Sequence, residues 1–114
     1  FVTDAENQKN SIQRIIEYID HHYKEDLSRT TLADMVYLSA DHLARIFKKE
    51  TGETLVKYIT DKRINAAKEL LSDTKTPIAQ VASEVGYDNY SYFTKIFKEK
   101  TGFSPGDYRK HHTS

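Results

Sequence analysis

Residues 43–52 read LARIFKKETG, and residues 93–102 read FTKIFKEKTG. Laid over one another at an offset of fifty, Leu43-Ala44-Arg45-Ile46-Phe47-Lys48 meets Phe93-Thr94-Lys95-Ile96-Phe97-Lys98, and Thr51-Gly52 meets Thr101-Gly102. Upstream, Leu32-Ala33 and Val36 match Val81-Ala82 and Val85 at an offset of forty-nine. The one-residue change falls in the turn between a short helix and a longer one, where a change of length is best tolerated. Each copy is therefore a short helix, a tight turn and a longer helix, with a small residue (Ala33, Ala82) where two helices cross closely. That is the layout of a helix-turn-helix. Two copies are too few for a solenoid, and a helical bundle that contains a duplicated hairpin is the alternative.

Outward from the repeat, apolar residues recur at helical spacing and strand-like alternation is absent. Ile12, Ile15, Ile16, Ile19 and Tyr23 form one stripe and predict a first helix from about Gln8 to Tyr23. Ser28 is a candidate N-cap for the short helix of the first copy, and Ser39 for its longer helix, which Gly52 stops. A long helix follows from about Leu55 to Ser72, with Tyr58, Ile59, Ile64, Ala67, Leu70 and Leu71 inward. Thr76-Pro77 opens the second short helix, Gly86 breaks it, Asn89 caps the second long one, and Ser104-Pro105 permits a last turn through Tyr108. The expected fold is all-α, with about seven helices and two helix-turn-helix subdomains joined by a long linker helix. The expected boundaries are 1–7 as a linker to a regulatory domain outside this sequence, 8–54 and 73–110 as the two subdomains, 55–72 as the linker helix and 111–114 as a tail. The absence of an initiator Met suggests a piece of a longer protein.

The 114 residues carry 17 basic and 17 acidic side chains, a balance unusual for a nucleic-acid binder. Distribution matters more than the sum. Residues 1–34 hold Lys9, Arg14, Lys24 and Arg29 against seven carboxylates, whereas residues 90–110 hold five cations against Glu99 and Asp107. With no cysteine, disulfides, thiolate metal sites and cysteine nucleophiles are excluded, which suits a reducing cytoplasm. No apolar run approaches the roughly 18–20 residues of a membrane span.

In a helix-turn-helix the second helix enters the major groove, so one of its faces must be polar and the other apolar. Ala40, Asp41, Ala44, Arg45, Lys48 and Lys49 surround the apolar set of the first copy; Tyr90, Ser91, Thr94, Lys95, Lys98 and Glu99 surround that of the second. Arg45 and Lys95 occupy equivalent positions and suit the O6 and N7 acceptors of guanine. Asp41 suits a cytosine amino group and the Ala44 methyl a thymine methyl, while Ser91 and Thr94 are adaptable readers. Lys48, Lys49 and Lys98 lie toward the far helix ends and suit phosphates, as do the amide-rich N-termini at Ser39 and Asn89. His42 suits either a phosphate or the edge of the core.

The order Ile78-Ala79-Gln80-Val81-Ala82-Ser83-Glu84-Val85-Gly86-Tyr87, then Ser91-Tyr92-Phe93-Thr94-Lys95-Ile96-Phe97-Lys98, Thr101-Gly102-Phe103-Ser104-Pro105 and Tyr108-Arg109, resembles the DNA-binding domain of the AraC/XylS family of bacterial transcription regulators. Leu38 through Gly52 and the linker residues Tyr58-Ile59, Arg63-Ile64, Ala67 and Leu70-Leu71 match as well, so the resemblance runs from about Ile12 to Tyr108. It implies two recognition helices reading successive major-groove segments of double-stranded DNA. The implied base-facing positions are Asp41, Ala44 and Arg45, then Tyr90, Ser91, Thr94 and Lys95. It also implies a regulatory domain elsewhere in the same protein, contact with RNA polymerase, and dimerisation of the parent around a monomeric DNA-binding domain. The chain departs from the family pattern at Arg29, where an apolar residue is usual, at Asn89, which replaces Asp, and at the acidic Asp41, which is placed i,i+4 from Arg45 and able to pair with it.

Catalytic constellations, phosphate loops and zinc motifs are absent, so neither an enzyme nor a cofactor is expected. Adjacent histidines such as His21-His22 and His111-His112 point about 100° apart on a helix and do not make a metal site. Most of the tyrosines, Tyr18, Tyr23, Tyr37, Tyr58, Tyr87 and Tyr108, fall on or beside apolar stripes and read as core. An interaction module that uses the acidic first helix (Glu17, Asp20) is the second functional reading.

Overall fold

A computed structural model describes residues 4–112; the outermost residues of the expected linker and tail lie outside that range. Seven helices make up the described residues: α1 (Asp4–His22), α2 (Arg29–Met35), α3 (Ala40–Thr51), α4 (Leu55–Asp73), α5 (Ile78–Glu84), α6 (Tyr90–Thr101) and α7 (Pro105–His112). The chain forms two compact units, Phe1–Thr60 and Asp61–Ser114, whose boundary falls within α4.

The first unit closes over Ile12, Ile15 and Ile19 of α1, Leu32 and Ala33 of α2, Leu43, Ile46 and Phe47 of α3, and Leu55 of α4. In the second, Ile64, Ala67 and Leu71 of α4 meet Val81 and Ala82 of α5 and Phe93 and Phe97 of α6. Ala33 and Ala82 are each 1% exposed, as the close crossing of the short and long helices requires. Each fully buried Phe or Leu contributes about 1.5–3 kcal/mol relative to exposure.

Local chemistry sets the helix ends. The hydroxyls of Ser28 and Ser39 accept from the amides of Thr31 (3.0 Å) and His42 (3.1 Å), and the Asn89 side chain accepts from the Tyr92 amide (2.9 Å). Such caps are worth about 1 kcal/mol each. Both long helices end on a glycine in the left-handed region, Gly52 (φ 79°) and Gly102 (φ 83°). The preceding Thr51 and Thr101 hydroxyls donate to the Phe47 and Phe97 carbonyls at 2.7 and 2.8 Å, and each accepts the amide two residues on. The repeated Thr-Gly pair is thus a helix-stop device.

The helices exceed their expected limits at both chain ends. The first begins at Asp4, ahead of Gln8, because Asp4 and Glu6 favour the positive end of the helix dipole without adding to the apolar stripe. The last runs to His112 instead of stopping near Tyr108: its final turn is basic, and the rings of Tyr108 and His112 stack at 3.9 Å. His22 pairs with Glu25 and stacks on Tyr18 at 4.1 Å, while His111 and His112 lie against Phe103.

Tyr37 departs from its expected place in the core. It is 91% exposed, with φ 60°, in the turn before α3, where the left-handed backbone carries its side chain away from the apolar interior. The other five tyrosines read as core are half-buried or buried.

Candidate nucleic-acid interface

α3 packs Leu43, Ile46 and Phe47 inward, so at 100° per residue Asp41, Ala44, Arg45 and Lys48 share the opposite face. Asp41, Arg45 and Lys48 are exposed and Ala44 is half-buried. No hydrogen bond or ion pair joins Asp41 to Arg45 among the described residues, so the i,i+4 pair that their spacing permits is not formed.

α6 repeats the arrangement. Phe93 and Phe97 are buried, and Ser91, Lys95 and Lys98 stand exposed with Thr94 half-buried among them. The Thr94 hydroxyl donates to the Tyr90 carbonyl at 3.0 Å, which leaves its oxygen as an acceptor. Tyr90 itself is 47% exposed at the first turn. Ser39 and Asn89 both spend their side chains on caps, so any further donors at these helix starts are backbone amides.

Two grooves flank α3. One, of about 540 Å³, is lined by Ala40, Ala44, Arg45, Lys48 and Lys49 of α3 together with Arg29 at the start of α2 and Leu55 and Val56 at the start of α4. The other lies toward α1 and holds His42 and Ile46 with Asn7, Asn10, Arg14 and Tyr37. Of the first-unit residues expected at phosphates, Lys48 and Lys49 thus border one groove and His42 the other. Lys49 also donates to the Gln8 side-chain oxygen at 3.4 Å, which draws it toward α1. Tyr37 and Val56 were not marked by the repeat, because their counterparts Gly86 and Gly106 are different residue types, and Arg14 lies outside the repeated segments; Arg29 was visible only as a departure from pattern.

Side-chain ties brace α4 within each unit. In the first, the Tyr58 hydroxyl donates to the Asp20 carboxylate at 2.8 Å, and its ring meets Phe47 edge-on at 5.7 Å. Burial, and then the Asp20 hydrogen bond and charge, push the Tyr58 phenol up to about 12. In the second, Arg109 donates from Nε to the Leu71 carbonyl at 3.0 Å and from Nη2 to the Thr76 carbonyl at 2.6 Å. Lys100 of α6 pairs with Asp61 of α4 at 3.2 Å. These ties hold α4 against α1 and α3 in the first unit and against α6 and α7 in the second, and the paired Tyr108-Arg109 serves packing and helix capping.

A helix-turn-helix domain family matches residues 32–111. The chain is 42% identical over 99 residues to the bifunctional transcriptional activator/DNA repair enzyme AdaA of Bacillus subtilis, which covers 87% of this chain and 47% of that protein. It is 37% identical over 101 residues to the arabinose operon regulatory protein of Escherichia coli, covering 88% of this chain and 35% of the relative. Among solved structures it is similar to the C-terminal domain of AraT, a response regulator from Geobacillus stearothermophilus. That likeness has a TM-score of 0.88 and 34% identity over 91% of this chain and 87% of the other. The chain spans less than half the length of the two curated relatives. With two helix-turn-helix units, seven helices and these relatives, the chain belongs to the AraC/XylS family and is an AraC-type DNA-binding domain.

Proposed function

We propose that α3 and α6 enter successive major-groove segments on one face of a DNA duplex, about one helical turn (~34 Å) apart. The observation that carries this reading is the repeated face: Asp41, Ala44, Arg45 and Lys48 on one helix, Ser91, Thr94, Lys95 and Lys98 on the other, each backed by a buried apolar set. Arg45 and Lys95 read guanine edges, Asp41 a cytosine amino group, and Tyr90, Ser91 and Thr94 the edges beside Lys95. Lys48, Lys49, Lys98 and His42, with the helix starts at Ser39 and Asn89, hold phosphates and set register and salt dependence. If α4 does not match the groove spacing, the duplex bends, at about 1–6 kcal/mol.

The relatives named as a transcriptional activator and an operon regulator support an output role in transcription. In the whole protein this domain acts beside a regulatory domain and contacts RNA polymerase, and dimerisation of the parent adds affinity. The neutral net charge predicts modest affinity for the isolated monomer at physiological salt. Selection of bound sequences from a random duplex pool, using the chain and an Arg45→Ala, Lys95→Ala double variant, tests the reading. Two short conserved blocks about one turn apart, relaxed in the variant, are expected. Recovery of nothing above background would remove this domain's claim to read DNA unaided and move attention to the acidic face of α1.

A further inference from the structure

The groove between α3 and the starts of α2 and α4 has an apolar floor and a cationic rim. Ala40, Ala44, Leu55 and Val56 supply the floor, and every charged residue that lines it, Arg29, Arg45, Lys48 and Lys49, is basic. Val56 is 55% exposed there, an apolar side chain left partly in water beside a polar reader face. The second copy places other residues at the same repeat positions. Tyr90 and Thr94 stand for Ala40 and Ala44, Pro105 and Gly106 for Leu55 and Val56, and Ile78 for Arg29. The groove thus has side chains of its own, and its width at α3 follows from two alanines.

A cationic rim over an apolar floor suits an occupant that is anionic and carries an apolar group. One strand of a duplex has both, since the thymine methyl projects into the major groove beside the phosphate backbone. Ala44 belongs both to this groove and to the face that carries Arg45, so a strand read by Arg45 runs along the rim. We infer that Val56, together with Ala44, receives the methyl of a thymine next to the base pair read by Arg45, while Arg29 holds a phosphate of that strand. Val56 is then a specificity residue of the first unit with no counterpart in the second. The inference rests on the assignment of α3 as a reader, proposed above.

The test uses a duplex selected by the chain, with each thymine replaced in turn by deoxyuridine, which removes only the methyl. One thymine in the block read by α3 should lose about fourfold in affinity, equivalent to the ~0.8 kcal/mol of one buried methyl group. In Val56→Ala, which keeps a good helix former at an exposed site, that sensitivity should fall below about twofold. Thymines in the other block should respond alike in both proteins. In the same samples the Val56 methyl NMR signals should move when the duplex is added. Duplex binding with no methyl-sensitive thymine in the first block, or with equal sensitivity in Val56→Ala, would overturn the inference and leave the reader assignment standing. Absence of any salt-sensitive duplex binding would overturn both. Movement of the Val56 signals by a synthetic Asp- and Leu-rich peptide, but not by the duplex, would give the groove to a protein partner and overturn the inference.

Discussion

The two units are one plan executed twice with different materials. In the first, four residues connect the short helix α2 to the longer α3 and the left-handed position is filled by Tyr37; in the second, five residues connect α5 to α6 and Gly86 (φ 108°) holds that position. The first braces α4 with a tyrosine and a carboxylate, the second with an arginine on two carbonyls and a Lys100–Asp61 pair. On its exposed face α3 carries small and acidic side chains, Ala40, Asp41 and Ala44, where α6 carries Tyr90, Ser91 and Thr94. Buried positions tolerate few substitutions, so Phe47 and Phe97, or Ala33 and Ala82, stay alike. Turn, brace and exposed face each have several chemical solutions, and there the copies diverge.

If the cores are equivalent, Phe47→Ala and Phe97→Ala should each cost about 3–5 kcal/mol, by cavity formation around a fully buried ring. Hydrogen exchange should show the largest loss of protection in the mutated unit. A substitution in one unit that melts both alike would mean that the units are a single cooperative body.

The braces should differ in strength. Arg109→Ala removes two charge-assisted hydrogen bonds and should cost about 2–3 kcal/mol in denaturant unfolding, against about 1–2 kcal/mol for Tyr58→Phe. Equal costs would erase this distinction. The Tyr58 brace also has a pH signature. Its phenol is raised from 10.0 to about 12 on folding, so the folded state keeps the proton longer than the unfolded one. The stabilisation is complete below pH 10 and is lost as pH rises toward 12. Stability should therefore fall more steeply across that window in the parent chain than in Tyr58→Phe. Parallel slopes would mean that the phenol is not so protected.

The turns should give the smallest effects. Gly86→Ala forces a side chain into the left-handed region and should cost about 1–2 kcal/mol. Tyr37→Gly relieves the same strain in the first unit but adds freedom to the unfolded chain, so a gain below about 1 kcal/mol is expected from thermal unfolding. A large loss in Tyr37→Gly would show that the exposed ring contributes packing.

The repeat made the fold legible because it reports buried positions, and the same register that places Phe47 and Phe97 inward places Arg45 and Lys95 outward. The caps at Ser28, Ser39 and Asn89 were equally readable, since each depends on a local side-chain-to-backbone bond. The start of α1 at Asp4 was not, because residues 4–11 lack an apolar stripe. The solvated Tyr37 was missed for a related reason: its place near an apolar run is visible, but the left-handed turn that turns it outward is not. The groove around Val56 and Arg29 needs three helices to assemble, and no periodicity along one of them announces it.

The measurement that bears most directly on the central claim is specificity in each block of a selected duplex for Arg45→Ala and Lys95→Ala taken singly. The account predicts that Arg45→Ala costs about 1–3 kcal/mol and relaxes base preference in one block only, and that Lys95→Ala relaxes the other. Uniform weakening of both blocks by either variant, with base preference intact, would make these side chains phosphate contacts and contradict the assignment of α3 and α6 as readers.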